Sequence, residues 1–272
     1  MSERIALVGN GYLGQAYERV FPEALVYDEP KELYAGETSL EAGRLAVNAC
    51  DMAIVAVPTD PTETGELNMS IVEDVVGWLE TPDILIKSAL QPGTADKLVE
   101  ETGKNIAVSV EYLGMGNYYM PEKYPDSKDP TKHRLLVIGG ETAVAGRCAS
   151  RLWNRMSPDI RIHLVTAREA EIVKLVENFY GALKVTFANC LYNLVENSGQ
   201  SFIKVHQAWG EDGRTDPMHT RVTEGKRGWQ SHCYSKDIQA LGAEARNVGA
   251  TDMQRLASLI IELNNEHLKE NG

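Results

Sequence analysis

The stretch IALVGNGYLGQAYER, residues 5–19, constrains this chain more than any other. A short apolar run, Ile5, Ala6, Leu7 and Val8, is followed by Gly9, Gly11 and Gly14 in a G-x-G-x-x-G spacing, and then by a helical pattern. Strand, glycine turn and helix in that order open a βαβ unit whose turn accepts a pyrophosphate. Gly9 makes the tight turn, Gly11 admits the phosphates to the backbone, and Gly14 lets helix and strand pack closely. A second run, residues 25–27, ends in Asp28. A carboxylate there accepts both ribose hydroxyls and repels a 2′-phosphate, which favours NAD over NADP. A glycine turn without cofactor, and a merely solvated Asp28, stay open as alternatives.

Further β-branched runs at 53–57, 84–86, 106–110, 135–138 and 162–165 alternate with helical or loop segments. That alternation predicts an α/β fold, a Rossmann-type doubly wound parallel sheet. The pattern then changes. Ile172, Leu175, Val176, Phe179, Leu183, Phe187, Leu191 and Leu194 recur at three- and four-residue steps without proline, so one long helix is expected over 168–198. The expected domains are a dinucleotide-binding domain at 1–165, a connecting helix at 166–199, and a small helical substrate or dimerisation domain at 200–272. Residues 210–235 are polar and read as irregular; helices are expected at 237–247 and 252–267.

A net charge of −12 argues against nucleic acid and anionic membrane surfaces as partners. No apolar window is long enough to span a bilayer, and the N-terminus lacks the apolar core of a signal peptide. The four cysteines, Cys50, Cys148, Cys190 and Cys233, are scattered and show no metal-ligand spacing. A cytoplasmic protein without a metal site is expected.

Read in order, these segments resemble the nucleotide-sugar dehydrogenase family, the UDP-glucose 6-dehydrogenase type. IALVGNGYLG resembles its glycine turn, and DMAIVAVPTDPTETGELNMSIV its strand and V-P-T-P turn. ILIKSALQPGT is similar to K-S-T-x-P-x-G, and VSVEYLGMG to N-P-E-F-L-x-E-G. AEIVKLVENFYGALKVTFANCLYNL is similar to the long central helix, and CYSKD to C-F-P-K-D. The resemblance implies oxidation of a sugar primary alcohol to a carboxylate with two NAD per turnover. It makes Cys233 the nucleophile that carries thiohemiacetal and thioester, a task suited to a thiolate. Lys174 and Asn178, four apart and so on one helix face, become oxyanion-stabilising groups. Glu111 becomes the general base or water-orienting acid, and Asp237 the acid four residues after the cysteine. It adds Tyr12, Leu13, Pro58, Thr59 and Ser88 to the cofactor site, and Tyr112, Leu113, Lys236 and Arg214 to the substrate site. The implied partners are a small-molecule sugar nucleotide and a second copy of the chain, joined as a homodimer through the long helix.

The chain departs from the family pattern in several places. The threonine after K-S is Ala89, the second glutamate of the E-F-L-x-E segment is Met115, and the glycine pair before the cysteine is Gln230-Ser231, followed by His232. No segment resembles the family's C-terminal UDP-binding domain. Three functions therefore stay open: the two-step dehydrogenase, a single-step β-hydroxyacid-type dehydrogenase needing no cysteine, and an NAD-binding protein that has lost its chemistry. At the residue level, Cys233 as an inert thiol, Glu111 as a capping acid and Lys174 as an ion-pair partner of Glu171 or Glu177 stay open as well.

Overall fold

The computed structural model describes residues 3–114 and 126–271. These cluster as two compact units: 3–62, 67–114 and 126–174 in the first, and 63–66 with 175–271 in the second.

In the first unit, β1 (Ile5–Val8), β2 (Leu25–Asp28), β3 (Leu33–Tyr34), β4 (Met52–Val55), β5 (Asp83–Ile86), β6 (Ile106–Ser109), β7 (Leu135–Gly140) and β8 (Arg161–Val165) make one sheet in the order β3-β2-β1-β4-β5-β6-β7-β8. Its helices are α1 (Tyr12–Val20), α2 (Leu40–Asn48), α3 (Ser70–Trp78), α4 (Thr94–Thr102) and α5 (Thr142–Trp153). β1 and β4 are apolar at every position, and β5 and β6 at all but one, because both faces are covered. Ala6, Val8, Ala53, Val55, Ile84 and Ile86 point into a core shared with Val47 of α2, Val72 and Val76 of α3 and Leu98 of α4. Their neighbours Ile5, Leu7, Met52, Ile54 and Leu85 point the other way, against Tyr17 and Val20 of α1 and Cys148 and Leu152 of α5. The period of two thus builds two cores from one set of strands.

The fold class agrees with the expectation, but the pairing is not all parallel. β2–β3 and β6–β7 are antiparallel, whereas β1–β2, β1–β4, β4–β5, β5–β6 and β7–β8 are parallel. A run of β-branched residues records burial, not direction, so this could not be read from the pattern.

The helix α6 (Ala167–Asn197) gives its residues up to 174 to the first unit and the rest to the second. The second unit adds α7 (Phe202–Gly210), α8 (His232–Asn247) and α9 (Thr251–Lys269). The segment expected to be irregular up to residue 235 is helical from His232 onward. The buried Arg227 ties the approach to α8 onto its neighbours: its Nε donates to Asn189 Oδ1 at 2.6 Å, its Nη2 to Asn193 Oδ1 at 2.7 Å, and its Nη1 pairs with Glu270 at 2.8 Å. No helix among the described residues is long and apolar enough to cross a membrane. Among those residues, no group of three His, Cys, Asp or Glu side chains could hold a metal ion.

Candidate active site

The glycine turn joins β1 to α1, and each of its glycines meets a different surrounding. Gly9 has φ +97°, its N–H donates to Tyr27 O at 2.8 Å, and a Cβ there would lie 2.4 Å from Ala56 O. A Cβ on Gly14 would lie 2.0 Å from Gly9 O, so a side chain at either position forces the turn apart. A Cβ on Gly11 would meet no protein atom within 4 Å. Gly11 also stands as the N-cap of α1. Open space over a bare backbone at a helix N-terminus is the place where a pyrophosphate fits.

Asp28, at the end of β2, accepts Asn10 N–H at 2.6 Å and Lys31 N–H at 3.1 Å. A carboxylate has about four acceptor sites, so two remain for ribose hydroxyls. Tyr12 is exposed and its hydroxyl donates to Gly114 O at 2.8 Å, while Leu13 beside it is half-buried. Pro58 is exposed and Thr59 buried. Ser88 behaves differently from the expectation of direct cofactor contact: its hydroxyl donates to Val57 O at 2.8 Å and accepts Val57 N–H at 2.9 Å. Its single donor is therefore used to hold the V-P-T turn in place.

A charged cluster lies at the ends of β5 and β6. Glu111 is buried, and its Oε1 accepts the N–H groups of Tyr112 at 2.8 Å and Leu113 at 2.9 Å, which fixes the following backbone. Its Oε2 lies 3.2 Å from Nζ of Lys87, itself 2% exposed. Lys174 donates to the Glu111 carbonyl oxygen at 2.9 Å. Burial pushes the Glu111 carboxyl up, but Lys87, then His133 and Lys174, outweigh it and hold the group below the usual carboxylate range. Such an anion is a weak base, better suited to orienting water than to taking its proton. Burial also lowers the Lys87 ammonium, with Glu111 opposing it, and raises the Tyr17 phenol well above its ordinary value. Lys87, Tyr17 and His133 were not singled out in the sequence. The signals available for Lys87 were its place as the lysine of the K-S motif and its position closing the apolar strand ILIK. Ala89 is buried at the next turn, and Met115 lies outside the described residues.

In the second unit, α8 begins with the cysteine segment: Ser231 is the N-cap, and His232 and Cys233 follow in the first turn. Gln230, Ser231 and His232 are exposed, and Cys233 is half-buried. Asp237 is 0% exposed, so its partners are its whole environment. Its Oδ2 accepts the Asn178 amide at 2.5 Å, and its Oδ1 accepts Lys236 Nζ at 2.7 Å. Asn178 stands one turn beyond Lys174 on α6, and Asp237 fixes which end of its amide faces away. Upstream, Trp229 is anchored by Nε1 on Thr186 Oγ1 at 3.1 Å and by its N–H on Asn264 Oδ1 at 2.7 Å. Tyr234 lies against α6 at Gly181, where a Cβ would fall 2.4 Å from the phenolic oxygen. Arg214, which the resemblance assigns to the substrate site of a second subunit, is exposed and forms a fork with Asp212 two residues before it.

The long helix and the cysteine segment have a counterpart among known proteins: residues 168–266 match the UDP-glucose/GDP-mannose dehydrogenase family, central domain. The similarity to known proteins extends ahead of that segment. The chain is 25% identical over 243 residues to UDP-glucose 6-dehydrogenase YwqF of Bacillus subtilis, covering 85% of this chain and 51% of that protein. It is 27% identical over 259 residues to a UDP-glucose 6-dehydrogenase of Pseudomonas aeruginosa, covering 85% and 53%. The chain thus spans about half the length of the curated relatives it matches. In fold it resembles a UDP-glucose dehydrogenase from Pyrobaculum islandicum, with TM-score 0.76 and 22% identity over 98% of this chain and 68% of that one. It also resembles a Mycobacterium tuberculosis 3-hydroxyisobutyrate dehydrogenase, with TM-score 0.65 and 15% identity over 98% and 96%.

Proposed function

We propose that the chain is an NAD-dependent dehydrogenase that oxidises the primary alcohol of a nucleotide sugar, such as UDP-glucose, to the uronic acid. The observation that carries this reading is Cys233 in the first turn of α8, one turn before a wholly buried Asp237 that grips Asn178 and Lys236. Gly9, Gly11, Gly14 and Asp28 would hold NAD, which accepts hydride twice for each acid formed. The remaining chemistry falls to side chains. Cys233 Sγ adds to the aldehyde carbon and gives a thiohemiacetal; loss of the second hydride leaves a thioester. Hydrolysis returns the thiol and releases the carboxylate. Lys174 keeps donors beyond the one it spends on Glu111 O, and with the Asn178 amide it stabilises the oxyanion. Glu111, held ionised, orients the hydrolytic water. Tyr112, Leu113 and Lys236 would border the sugar nucleotide, and exposed Gln230, Ser231 and His232 would shape its pocket.

A homodimer fits α6. Val176, Tyr180, Phe187 and Leu194 are 41, 54, 50 and 68% exposed and fall on one stripe of the helix. Leu194→Glu should give a monomer by light scattering, and a wild-type monomer would sink this part. The free cysteines, two of them buried, fit a reducing compartment, here the cytoplasm.

The test of the main reading is the NADH yield per product over sugar nucleotides and small hydroxyacids. Two NADH per acid with a trapped thioester supports it; one NADH per product supports a single-step hydroxyacid dehydrogenase. That second reading is favoured by one observation, the fold match that extends over 96% of the 3-hydroxyisobutyrate dehydrogenase. NAD binding without any reduction would leave only a cofactor-binding protein.

A further inference from the structure

We propose that Lys87 is the positioning residue for Glu111, fixing its carboxylate in place and ionised so that it orients water without taking up a proton. Only the kinetic consequence rests on the proposed dehydrogenase reading; the placement of charge does not.

The argument starts from cost. An ammonium buried at the end of an apolar strand loses several kcal/mol of hydration, so it persists only where its donors are satisfied. Lys87 Nζ lies 3.0 Å from Ser109 Oγ, 3.4 Å from Val110 O and 3.2 Å from Glu111 Oε2. An ammonium has three donors: two are spent on Ser109 and Val110, and the Glu111 carboxylate meets the same ammonium as an ion pair. Its fourth side faces the Tyr17 ring, 4.6 Å from the centroid. Lys87 therefore works inward and has nothing left for a ligand. Lys174 contrasts with it: it is half-buried, and its described bond is to a main-chain oxygen.

Glu111 is surrounded from every side. Tyr17 approaches from α1, Lys87 from the end of β5, His133 from the turn before β7 and Lys174 from α6. Of these, Lys87 is the charge in direct contact with the carboxylate. Oε1 is occupied by two backbone N–H groups, so the buried Oε2 is the oxygen that faces the Lys87 ammonium, with the Tyr17 phenol as its neutral neighbour.

The test uses the full chain with Lys87→Met, Lys87→Arg, Glu111→Gln and the double variant Lys87→Met/Glu111→Gln. Infrared difference spectra of Lys87→Met against the double variant should show a protonated carboxyl band at neutral pH, absent from wild type and from Lys87→Arg. The acid limb of the turnover–pH profile with UDP-glucose should move to higher pH in Lys87→Met and return in Lys87→Arg. Should Lys87→Met fold poorly, the double variant, which removes both charges, should melt above it. An ionised carboxylate in Lys87→Met, an unmoved limb, or a double variant no more stable than the single would each overturn the proposal. If wild type reduces NAD with no sugar nucleotide, the dehydrogenase reading fails, and the infrared spectra still decide the role of Lys87.

Discussion

Glu111 in the first unit and Asp237 in the second are both buried carboxylates in contact with a lysine, yet their surroundings differ. Glu111 gathers its partners from α1, β5 and α6, and its own side chain ties down the next two backbone N–H groups. Asp237 takes Lys236 from its neighbour in sequence and Asn178 from α6, and it lies one helical turn beyond the half-buried Cys233. The first arrangement fixes a charge; the second fixes an amide and leaves a thiol presented. The proposed covalent capture would ask for both, a stationary anion and a nucleophile with room to move.

The largest expected effect breaks the second cluster and spares the first. Cys233→Ser should lower acid formation by roughly 10⁶-fold, the order lost when a covalent nucleophile is removed, while NAD binding measured by fluorescence titration stays as it was. Activity that survives would make the thiol a bystander.

Next comes Asp237→Ala, which strands Lys236 and the Asn178 amide in the interior. Breaking a buried pair from one side costs about 3–5 kcal/mol. Urea unfolding should show a loss of that order, and Asp237→Asn a smaller one because it can still accept from Asn178; wild-type stability in both variants would mean that the ion pair contributes nothing.

A third measurement tests a carboxylate that neither cluster uses. Glu171, 1% exposed, accepts the N–H groups of Gly93 at 2.5 Å and Ala95 at 2.9 Å and so caps α4. Burial, opposed by those two bonds, raises its carboxyl to about 7. A raised carboxyl binds its proton more tightly folded than unfolded, so its stabilisation is complete below the unfolded value and fades as pH rises towards 7. Stability should fall between about pH 5 and 7 by on the order of 3 kcal/mol, and Glu171→Gln should flatten that slope. A wild-type curve already flat there would refute the raised carboxyl and leave the cap ionised throughout.

The smallest effect sharpens the division of labour in the glycine turn. Gly11→Ala should cost less than about 1 kcal/mol in a thermal melt, because its Cβ meets no protein atom within 4 Å. It should still weaken NAD binding by about tenfold, ~1.4 kcal/mol. Unchanged affinity would remove Gly11 from the cofactor site.

What the sequence revealed depended on how each feature is encoded. The glycine turn and the central strands were legible because backbone geometry and double-sided burial leave local marks on residue choice. Strand direction was not legible, so the β6–β7 reversal came as a surprise, and β3, at two residues, was too short to leave a pattern. The start of α8 was hidden because SHCYSK carries no apolar period before Ile238. Lys87 and Tyr17 were missed for a related reason. Each sits inside an ordinary strand or helix pattern, and its significance arises only from what tertiary contact brings beside it. Ser88 shows the reverse: a motif residue whose hydroxyl serves the backbone of Val57 in the neighbouring turn.

The notch at Gly181 carries a lesson for anyone who would redesign this protein. Tyr234 rests in it, and Tyr234 is joined to Cys233 by a single peptide bond. A side chain at residue 181 would displace the phenol of Tyr234 from its seat on α6. The residue beside the thiol is thus seated by a gap in another helix, and a substitution at 181 reaches that neighbour without altering the cysteine segment.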